Sequence, residues 1–189
     1  MLYVVRHAEQ AGEAEESDPG LSTAGREQAR RLALRLRATT LETIHHSPAR
    51  RAVETARLLG ELTGVRTEES ELVRDRTPLP GPDDDSYPQW FAGWSSGIPA
   101  AEGDPGGRAL EATVRCFANR PGDRLIVTHA FVVGWFVRHA LDAPSSAWLR
   151  LAPAHTGLTV IDYPPGRPPR LVAVNDVGHL LGPPPGSTP

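Results

Sequence analysis

Cysteine is almost missing from these 189 residues: Cys116 stands alone. That excludes an intramolecular disulfide and suits a reducing compartment. Long hydrophobic runs are lacking too, since the apolar stretch around Phe131 to Val137 falls far short of a membrane span. The first apolar stretch, Leu2 to Val5, meets a charge at once, so no signal peptide is visible. Neither sign of charge dominates. A formal net charge of −3 argues against a nucleic-acid binder that relies on bulk charge. Metal-ligand spacing is also missing, with no His-x-x-x-His and no cysteine cluster. His45 and His46 are adjacent, and neighbours on a strand point to opposite faces. Internal repeats are lacking as well. These absences lead to the expectation of a soluble, cytoplasmic protein without cofactor or metal, binding neither nucleic acid nor membrane. The length suits one core, so a single domain is expected over residues 1–181, with a disordered Pro/Gly-rich tail over 182–189.

What the chain does contain is an alternation of strand and helix patterns. A strand over residues 2–5 is followed by an acidic loop from Glu9 to Asp18 and the turn Pro19-Gly20. Ser22 is placed to cap a helix that runs to about Arg37, and Gly25 inside that pattern signals a close packing contact. A second strand is expected at about 41–46 and a second helix at about 48–62. Further elements follow: a helix at about 107–119, a strand at 124–129, and an apolar helix at 130–141 in which Trp135 and Phe136 read as core. Segments 157–163 and 169–175, parted by Pro164-Pro165-Gly166, read as a hairpin-like pair. Residues 75–107, dense in Pro, Gly and Asp, read as a lid-like insertion. The fold class is therefore α/β: a three-layer α/β/α arrangement around a mostly parallel sheet.

Three strand-to-helix junctions carry cationic or imidazole side chains. Arg6-His7 ends the first strand. In Ser47-Pro48-Ala49-Arg50-Arg51, Ser47 is a good N-cap and Pro48 suits the first helical position, which puts Arg51 on an anion-favouring helix end. His129 closes Arg124–Thr128 and leads into the next helix. In open α/β sheets ligands bind beyond the carboxyl ends of the parallel strands. If these strands are parallel neighbours, Arg6, His7, Arg51 and His129 share one cationic pocket.

The runs VVRHAE, LSTAGREQA (Leu21 to Ala29), SPARRAVETA (Ser47 to Ala56) and VTHA (Val127 to Ala130) resemble the histidine phosphatase superfamily, with its phosphoglycerate-mutase-like fold. Leu72–Pro78 and Asn175–His179 resemble the mitochondrial phosphoglycerate-mutase-like Ser/Thr protein phosphatase branch. The resemblance implies a metal-independent phosphatase working through phosphohistidine on His7, with Arg6, Arg51 and His129 as phosphate ligands. The same roles follow from chemistry. A phosphoryl group spreads charge over its oxygens, planar arginine forks suit those oxygens, and an imidazole near its reference pKa keeps a neutral, nucleophilic fraction. For a leaving-group acid the resemblance points to Asp75, where the family usually has Glu. Ala130 follows the second histidine, which excludes the Asp used there by the other branch. Glu9 and the Asp83-Asp84-Asp85 run are fallback acids.

Blander readings stand beside these. His129 could be a satisfied core histidine, and Asp75 a loop carboxylate or a partner of Arg74 or Arg76. Arg50 faces solvent on this register, and His179 is assigned a turn role. Trp90, Phe91 and Trp94 either line a substrate entrance or anchor the lid. The alternative functions are a phosphoglycerate-type mutase and a non-catalytic phospho-ligand binder. Partners are a phosphorylated small molecule or a phosphoprotein, and a homodimer is compatible with all of this.

Overall fold

Apolar residues with no polar alternation mark strands covered on both faces, and Val4, Val5, Ile126 and Val127 are all fully buried. They belong to β1 (Leu2–Arg6) and β6 (Arg124–Thr128), neighbours at the centre of a six-stranded sheet. The structure, a computed structural model, describes residues 1–12, 18–118 and 120–182. The sheet also contains β2 (Thr43–His46), β3 (Thr67–Glu69), β7 (Leu158–Asp162) and β8 (Arg170–Asp176), in the order β3-β2-β6-β1-β7-β8. β3, β2, β6 and β1 run parallel, whereas β7 and β8 are antiparallel to their neighbours. Val127 is in register with Val5 on one side and His46 on the other. The carboxyl ends of the three junction strands therefore lie level.

Helices cover both faces. α1 (Thr23–Leu36) and α2 (Arg50–Thr63) set Leu32, Leu36, Ala52, Ala56 and Leu59 against Val5, Ile44, Leu125 and Val127. The residues at the next register positions, Val4 and Ile126, face the other way. There they meet Phe91 of α3 (Trp90–Ser95), Val114 and Phe117 of α4 (Arg108–Ala118), and Val132 and Phe136 of α5 (Ala130–Ala140). Trp135 and Phe136 are core residues, as expected. The alternation of side chains along a strand thus divides the apolar residues into two cores, one per face. His45 follows the same rule, packing on Phe117 at 5.1 Å between ring centres, while the neighbouring His46 has its Nδ1 on the Ser47 carbonyl at 3.0 Å.

Several boundaries differ from the sequence pattern. β2 starts at Thr43, because Glu42 N–H is turned to the Asp123 carbonyl at 2.9 Å. α2 starts at Arg50 rather than at Pro48. Insertion 75–107 carries its own structure: β4 (Thr77–Leu79) and β5 (Gly103–Pro105) pair in parallel on either side of α3. Phe91 is buried and anchors that piece to Trp148, while Trp90 stays 60% exposed. The hairpin-like pair is β7 and β8. Part of the acidic loop (13–17), the expected end of the third helix at 119 and the tail at 183–189 lie outside the described residues. Among the described residues no helix is long and apolar enough to cross a membrane.

Ser22 caps α1 as its sequence context predicts, its hydroxyl accepting from Gly25 N–H at 2.8 Å and donating to Glu9 Oε1 at 2.7 Å. Gly25 is there because α1 crosses the chain leaving β1: a Cβ at this position would run into the Glu9 main chain. Gly25→Ala should therefore destabilise the fold by about 1–3 kcal/mol through overpacking against backbone. A lowered urea midpoint measures this, and an unchanged midpoint would mean that the crossing is looser than described.

Candidate active site

β1 delivers His7 to the carboxyl edge of the sheet, where its N–H continues the ladder by donating to Thr128 O at 2.8 Å. The side chain is only 4% exposed. Nδ1 lies 2.8 Å from the Ala8 carbonyl, which can only accept, so this nitrogen carries the ring proton. Nε2 is left with its lone pair, and Arg51 Nε–H donates to it at 3.1 Å. Burial pushes the His7 pKa down to about 3; the Ala8 hydrogen bond opposes that, and the charges of Arg51 and Arg6 and the neighbouring His155 add to it. The sequence predicts a neutral His7 from the arginines, but the larger cause is loss of water.

Arg51 sits in the first turn of α2 with 16% of its side chain exposed. Nη2 is 3.1 Å from Asp75 Oδ2 and 3.2 Å from His129 Nδ1, and Nη1 is 3.5 Å from Asp18 Oδ1. The helix end is not held as the sequence suggests. Ser47 is two residues too early to cap it, and Ala49 occupies the cap position without a side-chain bond. The cap comes from Asp18, whose two oxygens accept from Arg50 N–H at 3.0 and 2.9 Å. A carboxylate there satisfies a free donor and opposes the positive helix end. Arg50 itself points outward, its Nε 3.0 Å from Glu54. Thr55, buried one turn further on, accepts from Ala8 N–H at 3.1 Å and donates to Arg51 O at 2.7 Å, tying the end of β1 to α2.

His129 is 1% exposed, and its ring centre lies 5.2 Å from that of His7. Nε2 meets Ser47 Oγ at 2.8 Å, and Nδ1 lies 3.2 Å from Asp75 Oδ2. Burial, then His7 and the two arginines, push its pKa down to about 2. Arg6 donates from Nη1 to the Pro153 carbonyl at 3.0 Å. Its Nε is buried without a partner among the described residues. Its charge acts on His7, His129, Asp75 and His155.

Asp75 lies against Arg51 and His129 rather than Arg74, which pairs with Glu71 at 3.3 Å. Its side chain keeps 45% of its surface exposed. Burial of the carboxyl nonetheless raises its pKa, with Glu102 adding to the effect and Arg51 opposing it. Of the fallback acids, Glu9 accepts from Ser22, and Asp84 accepts from Ser145 and from Ser86 N–H. His179 lies in the short helical turn Gly178–Leu180, and its Nε2 is 3.0 Å from Thr156 Oγ1, next to His155. Among the described residues no group of three or more His, Cys, Asp or Glu is arranged to hold a metal.

The sequence pattern misses His155. Its ring centre is 5.4 Å from that of His7. The segment entering β7 reaches the site because β7 runs antiparallel to β1, so its start, Leu158, pairs with Val5 near the carboxyl end of β1. An orientation opposite to the other junctions hides it from a search for strand ends. Asp18, Ser47 and Thr55 are missed for a related reason: their roles depend on contacts between segments.

Residues 2–177 match the family model described as histidine phosphatase superfamily (branch 1). Among curated proteins, the mitochondrial serine/threonine-protein phosphatase PGAM5 of Mus musculus is 28% identical over 191 residues, covering 95% of this chain and 63% of that protein. The chain thus spans less than two thirds of the length of that relative. A probable phosphoglycerate mutase GpmB of Salmonella choleraesuis is 27% identical over 181 residues, covering 86% of this chain and 84% of the relative. Two solved structures share the fold. A phosphoserine phosphatase mutant from Entamoeba histolytica, in complex with phosphoserine, has a TM-score of 0.70 at 20% identity, covering 95% of this chain and 98% of its own. Bacillus stearothermophilus YhfR has a TM-score of 0.73 at 22% identity, with the same coverages of 95% and 98%.

The depressed histidines have a consequence for acid stability. An unfolded histidine titrates near pH 6.5, so below that value the unfolded chain takes up protons that folded His7 refuses until about pH 3. Stability is therefore complete above about pH 6.5 and falls as the pH is lowered, by up to about 1.4 kcal/mol per pH unit for each such histidine. Urea midpoints between about pH 7 and about pH 5 should fall less steeply in His7→Asn than in the wild type. Equal slopes would remove His7 from the acid response.

Proposed function

The chain belongs to branch 1 of the histidine phosphatase superfamily, and on that premise we propose that it hydrolyses a phosphomonoester through a phosphohistidine on His7, without a metal. The observation that carries this is the His7 Nε2 lone pair facing the Arg51 guanidinium at 3.1 Å, with His129 and Arg6 close by. Arg51 and Arg6 neutralise the charge on the phosphoryl oxygens and neutral His129 donates a hydrogen bond to them, which is most of what such a transfer requires. Nε2 attacks phosphorus and the P–O bond to the leaving group breaks. The proton goes to the leaving oxygen from Asp75, whose raised pKa suits it to hold one. Asp75, now a carboxylate, takes a proton from the water that attacks phosphohistidine, and phosphate leaves with His7 neutral again. Asp75 stands where the family usually has Glu, and its place 3.1 Å from Arg51 and 3.2 Å from His129 supports the same role. The names of the relatives support phosphorylated alcohols, as phosphoproteins or small metabolites, as the substrate class.

Turnover of an aryl phosphate in excess chelator tests the reading, with release of inorganic phosphate separating hydrolysis from transfer to a second acceptor. His7→Ala should lose at least about a thousandfold in kcat; retained turnover would falsify the phosphohistidine route. In kcat/KM, which reports phosphoryl transfer to His7 and not the later hydrolysis, Asp75→Asn should cost about a hundredfold on an alkyl phosphate and much less on p-nitrophenyl phosphate, whose leaving group needs no proton. Equal losses on the two substrates would remove Asp75 from the role of acid.

A further inference from the structure

Resting on the phosphoryl-cradle reading, we propose that Ser47 is a positioning residue that decides which ring nitrogen of His129 carries the proton. Ser47 is wholly buried. Its main-chain groups are engaged, the N–H donating to Val127 O at 3.1 Å and the carbonyl accepting from His46 Nδ1 at 3.0 Å. Two groups approach its hydroxyl: Ala49 N–H at 3.3 Å and His129 Nε2 at 2.8 Å. A main-chain N–H can only donate, so Ala49 uses a lone pair of Oγ and leaves the hydroxyl hydrogen to seek an acceptor. Among the described residues the ring nitrogen of His129 is the acceptor in reach. Ser47 therefore donates to Nε2, and the single proton of the neutral ring sits on Nδ1.

Nδ1 is where that proton is useful. It lies 3.2 Å from Asp75 Oδ2, which Arg51 Nη2 also meets at 3.1 Å, so Nδ1–H and the guanidinium donate to one carboxylate oxygen. The 3.2 Å approach of Nη2 to Nδ1 is then a contact between two donors rather than a hydrogen bond. With Nδ1 protonated, His129 offers a hydrogen bond to Asp75 or to a phosphoryl oxygen. The other tautomer would strand the Ser47 hydroxyl hydrogen in the interior and aim a lone pair at a carboxylate and at the phosphoryl oxygens. Ser47 is free to act in this way because it is displaced from the helix cap. Asp18 caps α2, and Ser47 turns to the ring instead.

The test is the tautomer itself, read by 15N–1H multiple-bond correlation on 15N-labelled protein, with His129 assigned from the signals lost in His129→Asn. Wild type should show His129 protonated at Nδ1. Ser47→Ala should move it toward Nε2–H, and weaken both kcat and inhibition by orthovanadate by about tenfold or more. Ser47→Thr, which keeps a hydroxyl, should restore the Nδ1–H form. A wild-type His129 protonated at Nε2 overturns the proposal, and does so even if Ser47→Ala fails to fold. An unchanged tautomer in folded Ser47→Ala overturns it too. Turnover by His7→Ala distinguishes the two levels: if it persists the cradle reading fails, and if it is lost while the tautomer ignores Ser47, this inference alone fails.

Discussion

The guanidinium of Arg51 donates to His7 Nε2 at 3.1 Å, meets Asp75 at 3.1 Å and reaches His129 Nδ1 at 3.2 Å. Side chains from three separate stretches thus take their positions from one planar fork. A lysine would place a single point of charge there and could not hold three directions at once. The fork is itself fixed from behind. Asp18 holds the start of α2, and Thr55 links Arg51 O to the first residue after His7. In-register packing of β1, β6 and β2 sets the distances that this fork has to span.

Gathering two arginines and three imidazoles in a poorly hydrated place would be prohibitive if every group carried charge. The site avoids that by keeping the imidazoles neutral, with His7 and His129 pushed down to about 3 and about 2 mainly by burial. The arginines cannot give up their charge, and Asp18 and Asp75 balance Arg51 directly. These two carboxylates differ in their surroundings. Asp75 lies between Arg51 and His129, and burial raises its pKa, so it takes up a proton more readily than a free aspartate. Asp18 is held on the Arg50 N–H at the start of α2.

Much of this was legible in the chain because local chemistry and global position coincide. A β-branched run ending in Arg-His needs only to be a central strand for its end to become a site, and His7, Arg51 and His129 all follow from that logic. Asp75 could be located only by resemblance, since its surroundings in sequence, Arg74 and Arg76, suggest partners it does not have. Ser47 was misassigned because Ser-Pro before a helix is a strong local cap signal. The competing partner, Asp18, comes from a loop 32 residues away and leaves no trace in that window. β3, reading Thr-Glu-Glu, has the polarity of an edge rather than a core strand, so hydrophobic pattern cannot reveal it. The short strands of the insertion are hidden in the same way by Pro and Gly.

His155 shows what a search for parallel strand ends must overlook. Parallel strands contribute to the site only where they finish, whereas an antiparallel neighbour contributes where it begins. The segment entering β7 is shaped for that purpose at some cost. Thr156 adopts φ 56°, a left-handed conformation that strains a β-branched residue by roughly 1–3 kcal/mol. Three contacts hold it: its N–H on Arg6 O at 3.0 Å, its hydroxyl on the His155 carbonyl at 2.7 Å, and His179 against that hydroxyl at 3.0 Å. The Arg6 main chain thus anchors the turn that carries His155, while the Arg6 side chain is held by Pro153 three residues before Thr156. One residue of β1 therefore fixes both ends of this segment, and the Thr156 hydroxyl, on the His155 carbonyl and His179, makes contacts that a glycine with the same backbone could not.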